Sequence, residues 1–326
     1  MCRLQAKTFL IKDIPFRNMN EGRKYRLNND VLMPVIGQGT YHMTRKVLYD
    51  AMLGAFDCGC ALLDTAHSYP NEESIGNELA KIFNGGKYLR KDVFITSKIG
   101  DRLDNGMPMG YYFYNSSSCP NHDHKAMVRQ QVEDSLKKLR TDYIDLLLIH
   151  WPYNDCLEDI WMAMEDLYRQ GIVRAIGVSN HKVRHLKRIE KVATVQPMVN
   201  QMYFSPLNIQ PDVYNYCQAN NIRLEAYSPL MFLRQGIAPH FCESDGVKAI
   251  CKKYNKSVAQ VVLRWNIDKG VIPIPKASSL EHIKANYDVF DFSLTEEEVK
   301  LIDGFNEDYQ YLPESMYCPC LLYTSD

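Results

Sequence analysis

The chain has 326 residues, of which 46% are hydrophobic and 24% are charged, an ordinary composition for a soluble globular protein. Its 38 basic and 39 acidic residues leave a formal net charge of −1, and no basic stripe or acidic block interrupts the mixture. This balance indicates neither a nucleic-acid partner nor a membrane surface, so any anion site must be local. No apolar stretch reaches the length of a membrane helix.

Residues 1–22 are predicted to be an N-terminal extension. Charged residues interrupt its apolar positions, so we expect no signal peptide. The ten cysteines are scattered, and the pairs Cys58/Cys60 and Cys318/Cys320 lack the usual zinc-site spacing with nearby histidines. We therefore expect free thiols, a cytoplasmic protein and no metal site.

One hairpin, followed by a regular alternation of strands and helices, is predicted along the chain. Residues 26–34 form the hairpin, which turns at Asn28-Asn29-Asp30, and a first short strand follows at 35–37. Apolar runs predict further strands at 61–64, 92–98, 144–150, 174–178, 197–201, 223–227 and 270–275. Helical patterns cover about 45–56, 72–83, 125–139, 158–170, 183–191, 211–219, 246–254, 258–268, 280–287 and 295–304. Asn71 is the expected N-cap of the second helix, and Gly171 is the expected C′ glycine after the fourth.

This alternation, with no antiparallel hairpin after the first, predicts the α/β class and a (β/α)8 TIM barrel over residues 23–305. A doubly wound sheet is the alternative, but it predicts a Gly-x-Gly-x-x-Gly motif after the first strand. Gly37-Gln38-Gly39 is not followed by the third glycine, which favours the barrel. Residues 306–326 are assigned to a C-terminal tail.

Two segments depart from a minimal barrel. Residues 99–121 form a long loop after the third strand, and its aromatic side chains either line a substrate pocket or pack the loop down. Residues 320–326 can be back-translated into the transposon end used in sequencing libraries. We expect these last residues to be read-through on a truncated gene, with the native C-terminus missing.

Four groups with complementary chemistry stand at or just after the ends of predicted strands. Asp64 ends strand 61–64 with Tyr69 one short turn later, Lys98 closes strand 92–98, and His150 closes strand 144–150. Singly, each has an ordinary structural explanation, as a helix cap, a surface lysine or a core histidine. Because parallel barrel strands end on one rim, all four are expected to share one site.

Together these groups predict a site that protonates a carbonyl. A free tyrosine has a pKa near 10, and a nearby ammonium lowers that pKa by stabilising tyrosinate. A carboxylate bonded to Lys98 would fix the ammonium, and His150 can donate a hydrogen bond to a carbonyl oxygen. Tyr69 is therefore the predicted general acid, and its natural partner is hydride delivery from a nicotinamide.

The sequence resembles the aldo-keto reductase superfamily over about residues 24–305. The resemblance rests on motifs that occur together and in order: Leu63-Asp64-Thr65-Ala66-x-x-Tyr69, Ile95-Thr96-Ser97-Lys98, Leu148-Ile149-His150-Trp151-Pro152, Gly177-Val178-Ser179-Asn180, Val199-Asn200-Gln201, Tyr227-Ser228-Pro229-Leu230 and Ile274-Pro275-Lys276. It implies Tyr69 as proton donor, supported by Asp64, Lys98 and His150. It also implies a reduced nicotinamide dinucleotide bound without a Rossmann fold.

The resemblance further implies which residues bind the cofactor and the substrate. The nicotinamide carboxamide would be held by Ser179, Asn180 and Gln201, with Tyr227 stacked on the ring. The ribose and pyrophosphate would lie along Gly39, Thr40, Ser228 and Leu230. The substrate pocket would be lined by Tyr41 and Trp151.

The adenosine end of the implied cofactor site departs from the family pattern. Lys276 is retained, but Ala277 replaces the usual Ser or Thr, and His282 stands where the family usually has Arg. Ala285, where Glu or Gln is common, precedes Asn286. Histidine binds a phosphate more weakly than arginine near neutral pH. We expect NADPH as the cofactor, with weak discrimination against NADH.

The leading hypothesis is NAD(P)H-dependent reduction of an aldehyde or ketone, such as a sugar-like or keto-acid carbonyl, by a monomer or homodimer. A second is a cofactor-binding regulatory or channel-associated barrel with little turnover, against which the complete catalytic set argues. A third is a metal-dependent barrel hydrolase using His150 and Asp64, which no His-x-His or clustered ligand set supports.

Overall fold

The computed structural model describes residues 23–59, 61–100, 102–104, 107–109, 123–152 and 156–309. Its strands are β1 (Lys24–Arg26), β2 (Leu32–Pro34), β3 (Gln38–Gly39), β4 (Leu62–Asp64), β5 (Phe94–Ile99), β6 (Arg102–Asp104), β7 (Met107–Met109), β8 (Leu146–Ile149), β9 (Ile176–Ser179), β10 (Val199–Tyr203), β11 (Arg223–Tyr227) and β12 (Ile272–Ile274). The expected N-terminal extension and the suspected read-through at 320–326 lie outside the described residues, so those assignments stay predictions.

The helices that follow these strands are α1 (Arg45–Asp57), α2 (Glu72–Asn84), α3 (His124–Leu139), α4 (Leu157–Arg169), α5 (Val183–Glu190), α6 (Pro211–Ala219), α7 (Pro239–Glu243), α8 (Asp245–Tyr254), α9 (Val258–Asp268), α10 (Leu280–Tyr287) and α11 (Glu296–Asp303). Short 3-10 helices cover Arg90–Asp92 and Met231–Gly236. The predicted helices are confirmed to within one residue at each end. The sequence patterns missed α7 and both 3-10 helices.

Eight strands form one parallel sheet in the order β3-β4-β5-β8-β9-β10-β11-β12. The sheet curls until its two edges meet: the Gly37 N–H donates to Pro273 O at 2.9 Å, and the Gly39 N–H donates to Pro275 O at 3.1 Å. The predicted (β/α)8 barrel is therefore confirmed. Its first strand begins at Gln38 rather than at residue 35.

The N-terminal hairpin is confirmed as the antiparallel pair β1 and β2. Its turn lies against the end of the barrel where the strands begin. Asn28 Nδ2 donates to Pro197 O at 3.0 Å, and Asn29 Nδ2 donates to Arg174 O at 2.9 Å, just before β10 and β9. The hairpin thus covers the rim opposite the strand ends and leaves the carboxyl-terminal rim open.

The expectation of no further antiparallel hairpin was wrong. Within the long segment after β5, β6 pairs antiparallel with β7, with Asp104 opposite Met107. The two residues between them in sequence are Asn105-Gly106, a pair typical of two-residue hairpin turns. This pair is therefore a sequence signal for the second hairpin. The remaining residues expected to line a pocket here lie outside the described part of the chain.

Two capping residues were predicted from the sequence, one at the end of α4 and one at the start of α2. Gly171 has φ of 73°, its N–H donates to Tyr168 O, and the Ile172 N–H donates to Leu167 O, which confirms the C′ glycine of α4. Asn71 precedes α2, but its side chain makes no capping bond. Its Nδ2 instead donates to Thr40 O at 2.7 Å and to Met43 O at 3.0 Å. Asn71 therefore holds the predicted N-cap position of α2, but its side chain binds two distant carbonyls and does not cap the helix.

Barrel closure at Gly37 generates a stability prediction. A Cβ there would overlap the Leu62 side chain and lie 2.9 Å from Ile274 Cγ2, between the first strand and its two neighbours. We expect Gly37→Ala to lower the free energy of unfolding by about 1–3 kcal/mol, as overpacked core sites do. Urea unfolding at unchanged m-value measures the loss. The matched control is Gly85→Ala, at a helical φ of −69° after α2, with an expected change within about 0.5 kcal/mol. Equal effects in the two variants would contradict the closure argument.

Candidate active site

The parallel register brings three of the predicted residues to one rim. Asp64 is the last residue of β4, Lys98 lies near the end of β5, and His150 directly follows β8. Asp64 is in register with Thr96, and Lys98 with Leu148, so neighbouring strands stop at nearly the same level. The His150 N–H continues the ladder by donating to Ile99 O at 2.9 Å.

Asp64 and Lys98 form a buried ion pair at this rim. Lys98 Nζ lies 2.8 Å from Asp64 Oδ1 and 2.7 Å from Oδ2, and the two residues are only 1% and 4% exposed. Lys98 Nζ also donates to Thr65 O at 2.9 Å. An ammonium has three hydrogens, so these three acceptors fix its position. Buried charges are tolerated where, as here, they are paired and hydrogen-bonded.

Aromatic rings lie on one side of this buried pair. Lys98 Nζ lies 5.1 Å from the centroid of the Tyr69 ring, whose other neighbours are His150 at 6.0 Å and Tyr41 at 4.8 Å between centroids. Trp151 stacks on His150 at 5.3 Å and 15°. Tyr41 is 42% exposed, so the cluster opens toward solvent on its side. The structure therefore brings the predicted catalytic residues and pocket residues together.

A second group of predicted residues lies around Asn180, where the following strands of the barrel end. Asn180 has φ of 63°, a left-handed conformation that asparagine adopts more readily than most residues. Its Nδ2 donates to His150 O at 3.1 Å, and its Oδ1 accepts from Tyr227 OH at 2.9 Å. Ser179 Oγ donates to Gln201 O at 3.0 Å. The ends of β8, β9, β10 and β11 are thus tied to one another.

Gln201 connects this second group to the ion pair. Its Nε2 donates to Asp64 Oδ2 at 2.7 Å and to Glu225 Oε2 at 2.6 Å. Glu225 is fully buried and was not predicted as a site residue. An acidic residue in a buried strand, two positions before Tyr227 and on the same face, was a usable signal. Burial, more than the charge of Asp64, raises the pKa of Glu225 to about 8.

The residues expected along the ribose and pyrophosphate lie where β3 and β11 end. Thr40 is fully buried and donates its hydroxyl to Asp64 O at 2.7 Å. Ser228 has φ of 50° and directly follows β11, and Leu230 packs against the core beside it. Gly39 closes the barrel against Pro275, as described above. All four lie at the same rim as the ion pair.

Lys276 is one of the residues expected to face the adenosine end of the cofactor. It lies just beyond β12 and donates from Nζ to Tyr41 O at 3.0 Å. Partial burial lowers the pKa of Lys276, and the positive charge of Arg234 lowers it further. His282 is exposed at the start of α10, while Asn286 is buried farther along that helix. Arg234, which the sequence reasoning did not single out, adds a second cation near Lys276.

A profile described as the Aldo/keto reductase family matches residues 35–307. This chain belongs to the aldo/keto reductase family. Glyoxal reductase of Bacillus subtilis (strain 168) is 38% identical over 289 residues, which cover 88% of this chain and 94% of that protein. Family membership makes the protein an NAD(P)H-dependent oxidoreductase, and the regulatory or channel-associated alternative finds no support.

Solved aldo-keto reductases share the fold along most of their length. The Bombyx mori enzyme in complex with NADP has a TM-score of 0.78 at 32% identity, covering 90% of this chain and 95% of that one. Another aldo-keto reductase, complexed with NADPH, has a TM-score of 0.79 at 29% identity, covering 93% of each chain.

Within the described residues, no helix is both long and apolar enough to cross a membrane. The same residues contain no group of three His, Cys, Asp or Glu side chains able to hold a metal ion. Among the cysteines that the structure describes, Cys58, Cys217, Cys242 and Cys251 are free thiols.

The buried ion pair predicts a large stability effect. Lys98→Met should cost about 3–5 kcal/mol of unfolding free energy, because it leaves the Asp64 carboxylate buried without its cation. Lys87→Met is the matched control, since it removes the exposed pair with Asp57, whose side chains are 63% and 44% exposed. The control should lose less than about 1 kcal/mol. Denaturant unfolding of both variants gives the comparison, and a small loss for Lys98→Met would mean that the pair contributes little to stability.

Proposed function

We propose that this protein reduces a small aldehyde or ketone with NADPH, and that Tyr69 gives the proton to the carbonyl oxygen. The observation that carries the proposal is the Lys98 ammonium, pinned by Asp64 beside the Tyr69 ring. Such an ammonium stabilises the negative charge that develops on the phenol oxygen as its proton leaves. The ion pair with Asp64 keeps Lys98 in place for this task.

His150 is proposed to orient the carbonyl. Its ring faces Tyr69 and stacks on Trp151, so an oxygen held between histidine and tyrosine receives hydrogen bonds from both. Two donors aimed at the same oxygen favour the transition state, where negative charge accumulates there. Tyr41 and Trp151 would then line the apolar side of the substrate pocket. The partner is a small carbonyl compound, and the similarity to glyoxal reductase favours a short aldehyde.

The residues at the neighbouring strand ends fit a nicotinamide. Ser179, Asn180 and Gln201 offer polar groups to its carboxamide, while Tyr227 offers an aromatic face to its ring. Gly39, Thr40, Ser228 and Leu230 would follow the ribose and pyrophosphate. Lys276, His282 and Asn286 would face the 2′-phosphate and adenine. When bound, the reduced cofactor supplies the hydride, and the NADP and NADPH complexes of structural neighbours support this choice.

Tyr69→Phe tests the proposed proton donor. We expect turnover to fall by about 10²–10⁴-fold, because the general acid is lost while the ring and its packing remain. NADPH affinity, measured by quenching of protein fluorescence, should be unchanged. Tyr88→Phe is the control, since the Tyr88 hydroxyl bonds only to Asp57 in the described contacts and lies away from the rim. Full turnover in Tyr69→Phe would remove Tyr69 from its role.

Cofactor discrimination tests the adenosine end. The ratio of kcat/KM for NADPH over NADH should stay below about a thousandfold, roughly 4 kcal/mol, because His282 replaces a bidentate arginine. We expect His282→Arg to raise that ratio about tenfold or more through a charge-assisted phosphate contact. His240→Arg, which adds the same charge on α7, should leave the ratio unchanged. A native ratio above a thousandfold would contradict the assignment.

A further inference from the structure

A continuous hydrogen-bonded bridge crosses the interior of the barrel behind the proposed site. It begins at Lys98 on β5, passes through Asp64 on β4 and Gln201 on β10, and ends at Glu225 on β11. Glu225 is adjacent to Gln201 in the parallel register of β10 and β11 and is 0% exposed. The proposed catalytic chemistry does not use this buried carboxyl group.

The bridge fixes the orientation of the Gln201 amide. An amide nitrogen has two hydrogens, and one points to Asp64 Oδ2 while the other points to Glu225 Oε2. The reverse orientation would set the amide oxygen at hydrogen-bond distance from Asp64 Oδ2, and the ionised Asp64 carboxylate, paired with Lys98, can only accept. Gln201 therefore has its oxygen, and no hydrogen, left for another ligand.

We propose that Glu225 is a positioning residue for the cofactor: with Asp64 it takes both amide hydrogens of Gln201, so that Gln201 presents only its oxygen. That acceptor matches the amino group of a nicotinamide carboxamide, which donates hydrogen bonds. The inference rests on the cofactor role proposed above for Gln201. It adds a residue that acts through Gln201 and has no contact with the ligand itself.

The same geometry determines the charge of Glu225. Its burial, together with the nearby charge of Asp64, raises the pKa of the Glu225 carboxyl, and the Gln201 hydrogen bond and Lys98 oppose this only in part. The β12 residue in register with it, Ile272, is apolar. Glu225 Oε1 has no hydrogen-bond partner among the described residues. An ionised carboxylate would leave that oxygen uncompensated, so Glu225 carries a proton at neutral pH.

The protonation can be tested without cofactor, through the pH dependence of stability. The unfolded Glu225 titrates near 4.3, and the folded one at about 8, so folding takes up a proton between these values. Stability contributed by this group is therefore lost as pH rises through that window. Glu225→Gln has no such proton, and its Tm minus that of the wild type should increase from pH 4.5 to 8. A constant Tm difference across the window would overturn the protonated state.

The positioning role is tested by a double-mutant cycle on NADPH affinity, read from fluorescence quenching. Glu225→Leu should weaken binding about tenfold, because one amide hydrogen of Gln201 loses its acceptor. Glu225→Gln retains an acceptor oxygen and should bind NADPH within about twofold of the wild type. In a Gln201→Leu background, adding Glu225→Leu should weaken binding by no more than about twofold, since the group it positions is gone.

The outcomes separate this inference from the proposed function. A tenfold effect of Glu225→Leu that persists in the Gln201→Leu background would overturn the positioning role and leave the proposed function intact. An unchanged NADPH affinity in Gln201→Leu alone would overturn the cofactor role of Gln201, and the inference with it. Melting curves of every variant exclude loss of fold as the cause.

Discussion

The ion pair between Asp64 and Lys98 is the interaction on which the rest of the site depends. Two opposite charges are removed almost completely from water, at a desolvation cost that only full hydrogen bonding can offset. The pair meets that condition, because each ammonium hydrogen has an acceptor and Asp64 also accepts from Gln201. The positive charge of Lys98 is therefore held at one fixed place. It can act on Tyr69 without being drawn away from Asp64.

The barrel makes such a pair possible through its register. Parallel strands stop together, so residues far apart in sequence reach the same rim with side chains directed inward or upward. The N-terminal hairpin covers the opposite end, where the strands begin, and so divides the structure into a closed face and an open one.

Much of this arrangement could be predicted from the sequence, for a physical reason. Apolar runs define barrel strands, and the polar residue at the end of each run, such as Asp64 or His150, is placed by the strand itself. Features that depend on a distant partner could not be predicted in this way. Asn71 has the type and position of a helix cap, yet its amide is bound by the carbonyls of Thr40 and Met43. Glu225 is marked in the sequence as an acidic residue in a buried strand, but its hydrogen bond with Gln201 depends on β10 lying beside β11.

The neutral state of Glu225 bears on the electrostatics of the whole rim. With Glu225 protonated, the buried bridge contains one positive and one negative charge and so has no net charge. An ionised Glu225 would leave an excess negative charge in a region of low dielectric, where it acts over several ångströms. That charge would hold Lys98 more strongly and oppose the formation of a third anion on Tyr69. In the proposed mechanism, burial of Glu225 therefore favours proton release from Tyr69, because it keeps the Glu225 carboxyl group uncharged.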